Sequence, residues 1–240
     1  MNPLHQFEIK KLFEMSLCGY DISFTNSALF MVIAVLVVSF FFLLATRKNY
    51  KIPNRLQALV EIMYNFVADT VKDNAGKEGM KYFPLVFSVF FFVLTGNLLG
   101  MIPYSFTYTS HIIVTFGLAV MVFLFVTVLG FCIHGLKFFK LFCPEGVPAF
   151  LTPIIIPIEI FSYLSRPISL SIRLFANMTA GHSMLKVFAG FSVSLGVLLG
   201  IFPLALNVLL IGFEFFVACI QAYIFTVLTC VYLNDAIHMH

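Results

Sequence analysis

No Asp, Glu, Lys or Arg occurs anywhere between Tyr82 and Leu136. An uncharged stretch of that length has no solvated face to offer, so the part of the chain that carries it needs an apolar surrounding. The rest of the 240 residues agrees: 61% are apolar and 10% are charged, whereas charged residues make up about a quarter of a soluble domain. Disorder is excluded by the same figures, because it needs low hydrophobicity and high charge. A net charge of +3 is too small a basic excess to point to nucleic acid. The fold class expected is all-α: one polytopic transmembrane domain over residues 1–240, with about five membrane helices and an interfacial amphipathic helix.

About 20 apolar residues cross a bilayer as a helix. Ser27 to Thr46 meets this, after a cap at Thr25-Asn26 and before Arg47-Lys48. A second span runs from about Pro84 to Ile102, and a third from about Ile112 to Ile133. Residues 1–25 carry Glu8, Lys10, Lys11, Glu14 and Asp21 before any long apolar run. That is unlike a cleaved signal peptide, so the first helix is expected to stay. Between the first two spans, Leu56, Val60, Met63, Val67 and Val71 recur at helical spacing opposite Arg55, Glu61, Asn65, Asp69 and Asp73. This predicts an amphipathic helix over 53–75, lying on the membrane or packed on a partner subunit. Lys and Arg crowd the segment Arg47 to Lys81, and Lys137 and Lys140 follow the third span, while Tyr104 to His111 has none. The basic segments therefore face the cytoplasm, or a mitochondrial matrix, and residues 1–25 lie on the outer side.

Apolar sequence then runs from about Val147 to Phe188 and from about Phe191 to Leu233, each close to twice what crosses a bilayer upright. Pro153, Pro157, Pro167 and Pro203 could start or kink helices here. Either these helices are broken, or 147–235 is a hairpin of two long tilted helices turning near Gly190. The polar residues favour the hairpin. Glu159, Ser162, Arg166, Ser169, Arg173 and Asn177 are spaced three or four apart, on one stripe of a helix. Asn207, Glu214 and Gln221 are seven apart and make a second stripe.

A charge at mid-bilayer costs roughly 2.5–3.5 kcal/mol on insertion scales. For Arg166 the expected explanation is an ion pair, a hydrogen-bond network or snorkelling. For Lys186 and Asp235 it is a solvated helix end. For Arg173, Glu214, His182 and Gln221 it is an ion pathway. His182 follows Arg173 by nine residues, about half a turn out of phase, so the two face different surroundings. Arginine keeps its proton and is a poor relay, whereas histidine and glutamate both exchange protons, so His182 and Glu214 can hand them on. At about 4 Å and an effective dielectric near 20, a fixed Arg attracts a carboxylate by roughly 4 kcal/mol, which favours proton release from a carboxyl that approaches it. The cysteines Cys18, Cys132, Cys143, Cys219 and Cys230 have neither disulfide-framework nor zinc spacing. Packing is their expected role, and no metal or cofactor is expected.

The runs SLSIRLFANMTAGH (Ser169 to His182), GNLLGMIPYSFTYTSH (Gly96 to His111) and LQALVEIMYNFV (Leu56 to Val67) closely resemble subunit a of rotary F-type ATP synthases. So do IQAYIFTVLTCVYLNDAIH (Ile220 to His238) and the early QFEI and SFTNSALFM runs, so the resemblance covers nearly the whole chain. Carried over residue by residue, it implies that Arg173 is the essential arginine between two proton half-channels. It implies that Asn177, His182, Glu214 and Gln221 belong to the access channel, and that Glu159 stands beside the inner half-channel. The implied fold has two long tilted helices against a ring of c subunits, with peripheral-stalk b-type subunits, other ATP synthase subunits, lipids and protons as the remaining partners. The order His182 then Glu214 is the mitochondrial and alphaproteobacterial arrangement, which implies a bacterial cell inner membrane or, alternatively, a mitochondrial inner membrane. The resemblance also implies a proton-translocating subunit without a catalytic site of its own, and there is no G-x-x-x-x-G-K-[ST] phosphate loop. Two other classes stay open. A secondary transporter would commonly show internal inverted repeats, and none is evident; a lipid-embedded scaffold would tolerate loss of Glu214.

Overall fold

A computed structural model describes residues 8–14, 16–17, 20–21, 23–47, 53–102, 105–135, 138 and 152–238. The chain begins with short antiparallel ladders, β1 (Lys11–Phe13) with β4 (Phe24–Thr25) and β2 (Ser16–Leu17) with β3 (Tyr20–Asp21). Seven α-helices follow among the described residues: α1 (Asn26–Thr46), α2 (Arg55–Gly79), α3 (Phe83–Gly100), α4 (Ile112–His134), α5 (Thr152–Ser194), the one-turn α6 (Gly196–Leu199) and α7 (Ile201–Ile237). Among the described residues, five helical stretches are long and apolar enough to cross a membrane. Most outward side chains on them are apolar, including Phe40, Ile113, Phe161 and Phe202, as lipid requires.

The start of α1 follows from the chemistry of its cap. Thr25 is extended, and its hydroxyl accepts a hydrogen bond from the Ala28 amide, serving one of the orphan N–H groups of the first turn. α2 is the amphipathic helix. Its Val60, Val67, Val71 and Ala75 are buried while Arg55, Glu61, Asp69 and Asp73 are exposed. The buried side packs on α7 and α3 of the same chain, so what covers that face is the chain itself rather than lipid or a partner. Leu56, expected on the apolar face, is exposed. The helix also outruns the expected boundary, continuing through a kink at Gly76 to Gly79.

α7 is central and packs on α2, α3, α4 and α5. Ala218 and Ala222 are fully buried along it, and residues of that size let helices approach closely where no hydrophobic effect drives them together. α3 contributes Val86, Val89, Phe90 and Val93 to the same core, and α5 contributes Leu170, Leu174 and Met178. The phenylalanines form ladders: Phe83, Phe87 and Phe91 meet in tilted ring contacts along α3, with Phe42 of α1 edge-on to Phe91 at 4.9 Å.

α5 and α7 have 43 and 37 residues, about 64 and 55 Å at 1.5 Å per residue against a hydrocarbon core of about 30 Å. They are therefore the overlong hairpin rather than broken helices, and α5 runs unbroken through Pro157 and Pro167. The turn is displaced from the expected position. Gly190 lies within α5, and the chain reverses at Leu195–Gly200. Two glycines explain why: Gly196 has φ +71°, and a side chain on Gly200 would collide with the Ser192 carbonyl. Among the residues singled out from the sequence, Cys18, Lys48, Lys51, Pro103, Tyr104, Lys137, Lys140, Cys143 and the 147–151 start of the hairpin lie outside the described residues.

Candidate functional site

The polar stripes of α5 and α7 divide into two clusters, named outer and inner after the sidedness expected from the basic loops. The outer one is built where the segment between α3 and α4 folds back onto α5. Residues 105–111 contain a 3-10 turn, Tyr108–Ser110, locked by several bonds. The Tyr108 hydroxyl donates to the Phe92 carbonyl at 2.8 Å, in a slot that a side chain on Gly96 would fill. Burial pushes that phenol well above its ordinary titration range, so it stays a donor. The Ser110 hydroxyl donates to the Thr107 carbonyl at 2.6 Å, and Thr179 of α5 donates to the Ser110 carbonyl at 3.3 Å.

His182 projects from α5 into this corner and is buried. Its Nδ1 lies 3.2 Å from Oε1 of Glu214 on α7, and its Nε2 lies 3.2 Å from the Thr107 hydroxyl. Glu214 is 4% exposed. Its contact with His182 has the distance of an ion pair but not the direction of a hydrogen bond, so both carboxylate oxygens are buried without a hydrogen-bond partner among the described residues. Gly181 is what admits the carboxylate, since a Cβ there would lie 2.7 Å from Oε1.

Seven residues along α7, about 10 Å, Gln221 is also buried. Its Oε1 accepts from Asn177 Nδ2 at 2.9 Å, while its own Nε2 has no partner among the described residues. Between the two levels, Asn97 of α3 is fully buried and donates to the Ala218 carbonyl at 3.3 Å, leaving its Oδ1 unpaired. Asn207, the third member of the α7 stripe, has an unpaired buried Oδ1 as well. Asn97 and Thr107 were not singled out from the sequence. A lone Asn in an apolar run was the available signal for Asn97, but nothing in the polar run of residues 105–111 distinguishes Thr107 from its neighbours.

Arg173 lies on the other side of α5 from His182. It is exposed and makes no hydrogen bond or ion pair among the described residues, one turn from Asn177 on the same open face. Asn177 thus joins two environments, reaching inward to Gln221 from the face that carries Arg173. The structure brings together His182 with Glu214 and Asn177 with Gln221. It does not bring Glu159 to either pair: Glu159 is half-buried, fourteen residues before Arg173, about 21 Å along the helix.

In the inner cluster Arg166, Asp235 and His134 each have a partner. Arg166 donates to Asp235 at 2.8 Å, with its guanidinium 5.5 Å from the Tyr163 ring and 5.2 Å from that of Tyr232. Tyr163 in turn shares a 2.7 Å hydrogen bond with Thr127 of α4. Arg166 therefore takes the ion-pair explanation, and Asp235 is its partner rather than a solvated helix end. His134 lies 3.1 and 3.2 Å from the Ala236 and Ile237 carbonyls, serving the last turn of α7. No group of three His, Cys, Asp or Glu able to hold a metal occurs among the described residues.

Comparison with known proteins covers the same span as these helices. The family model described as ATP synthase A chain matches residues 28–234. The protein named ATP synthase subunit a of Rhodospirillum rubrum is 55% identical over 239 residues, covering 100% of this chain and 99% of that protein. The one of the same name from Mesorhizobium japonicum is 57% identical over 244 residues, covering 99% and 97%.

Proposed function

The chain belongs to the ATP synthase A chain family, and on that premise we propose that it is the stator subunit that exchanges protons with a ring of c subunits. Protons enter from the outer side through His182 and Glu214, pass Asn97 and Gln221, and reach the open face of α5 at Asn177. There they load a carboxylate of the ring. After nearly a full turn the carboxylate meets the inner half-channel near Glu159, and Arg173 draws its proton off by favouring the charged form while blocking direct passage between the halves. The subunit has no catalytic site of its own and uses no cofactor. Peripheral-stalk b-type subunits hold it against the ring, in a bacterial cell inner membrane or, alternatively, the mitochondrial inner membrane.

The observation that carries this reading is the separation of a fixed charge from exchangeable ones. His182 and Glu214 are buried in contact at 3.2 Å, while Arg173 stands exposed and without a hydrogen bond or ion pair on the opposite side of the same helix. The chain of buried polar atoms on Glu214, Asn97 and Gln221 without hydrogen-bond partners among the described residues supports it, because groups of that kind are served by ordered water, and water carries protons. Arg173→Ala in the whole complex, in sealed membrane vesicles, should abolish proton-driven ATP synthesis with the subunit still assembled. Coupled synthesis at even a tenth of the normal rate would overturn the proposal.

A further inference from the structure

We propose that Thr107 is a positioning residue of the outer proton path, fixing which imidazole nitrogen of His182 faces Glu214. The inference rests on the reading above and adds a residue to it. An imidazole offers two nitrogens, and which one exchanges a proton is set by the bond the other makes. At His182 the two are spoken for from opposite sides: Nδ1 meets Glu214 of α7, and Nε2 meets the Thr107 hydroxyl. Rotating the ring by half a turn would trade those contacts for carbon.

A hydroxyl is suited to this place because it both donates and accepts. When Nδ1 carries the proton, Thr107 donates to bare Nε2; when Nε2 carries it, or both nitrogens do, Thr107 accepts. Every protonation state that a relay passes through thus keeps a partner on Nε2 in a site only 5% exposed at Thr107. The ring orientation need not be rebuilt between protons. Charges acting on His182 come from Glu214 across the helix interface and from Lys186 one turn along α5, and the side facing the α3–α4 segment presents the hydroxyl.

The placement of Thr107 is built in rather than incidental. A Cβ on Gly100 would collide with its Oγ1 and Cγ2, so α3 leaves room for this side chain. Its carbonyl is held by Ser110, and Ser110 is bonded to Thr179, three residues before His182 on α5. The segment and the helix that carries the imidazole therefore move together.

Thr107→Val keeps the shape and removes the hydroxyl, and Thr107→Ser keeps the hydroxyl. In the assembled complex, proton-driven ATP synthesis in vesicles is measured against outer pH for both, with Arg173→Ala alongside. The valine variant should lose about tenfold in rate. Its half-maximal point should also move to lower pH by on the order of one unit, because the doubly protonated ring has lost an acceptor. The serine variant should stay within about twofold of the parent and keep its profile. A valine variant with parental rate and profile overturns the proposal. Equal losses in valine and serine with an unmoved profile overturn it too, since only packing would then matter. If valine prevents assembly, Thr107→Ala removes the same hydroxyl with less steric demand and is judged by the same two readouts. Coupled synthesis retained in Arg173→Ala would instead fail the underlying reading of the chain, whatever Thr107 does.

Discussion

The outer and inner ends of the α5/α7 pair both hold ionisable groups, His182 and Glu214 buried at one and Arg166 and Asp235 part-exposed at the other, and treat them differently. At the inner end Arg166 has a carboxylate at 2.8 Å and two aromatic faces, and His134 has two carbonyls. At the outer end Glu214 has both oxygens without a hydrogen bond, and Asn97, Gln221 and His111 each keep a buried polar atom unpaired. A satisfied network holds helices together, and a half-satisfied one costs stability. Its persistence in a chain otherwise packed for lipid points to use rather than to architecture. If the proposed proton path is right, the difference teaches that pairing, more than charge itself, separates structural groups from working ones in this molecule.

The comparison breaks if Glu214 proves dispensable. Glu214→Gln keeps the volume and removes the exchangeable proton, so proton-driven synthesis should fall by about 100-fold or more, with assembly unchanged because no hydrogen bond is lost. A scaffold would keep its flux, as would a transporter of some other solute. The inner end should respond the opposite way. Asp235→Asn removes the charge opposite Arg166, a pair 25% and 35% exposed, and should cost about 1–2 kcal/mol, between the exposed and buried limits for ion pairs. A lower melting temperature of the purified complex would report it, with synthesis per assembled complex within about twofold of the parent. If Asp235→Asn instead lowered synthesis tenfold at unchanged stability, the inner cluster would belong to the path and the division would be wrong.

The sequence makes the helices legible because lipid imposes length and apolarity on them, and the polar stripes legible because helical periodicity puts Arg173 and Asn177, or Glu214 and Gln221, on one line. The half-turn offset between Arg173 and His182 comes from the same arithmetic. What periodicity cannot reach are contacts between elements far apart in the chain. Arg166 and Asp235 are 69 positions apart, and neither alone says that it has a partner. Thr107 sits in an irregular segment where no repeat marks one polar residue above another. The hairpin turn was legible in principle, since GVLLG at Gly196–Gly200 supplies the positive φ and the close approach that Gly190, inside a helix, does not. The short ladders of residues 11–25 had no alternating apolar pattern to announce them.

The smallest expected effect concerns His111, which lies outside the spanning helices at the N-cap of α4 and is stacked on Phe106 at 5.0 Å. Its buried Nε2 has no hydrogen-bond partner among the described residues, and burial pushes the imidazole below its ordinary range near 6.5. The helix N-terminus acts in the same direction, because its partial positive charge disfavours an imidazolium. Below about pH 6.5 the unfolded chain therefore binds a proton that the native one resists. Its contribution to stability is full above that pH and is lost as the pH falls through it. In His111→Gln this loss is removed, so the drop in melting temperature between pH 7.5 and 5.5 should be shallower than in the parent, while the two agree more closely at pH 8. An equal acid-side drop in parent and His111→Gln would mean that the unpaired imidazole at the outer end carries no cost, and that the contrast between the two ends does not extend to the α3–α4 segment.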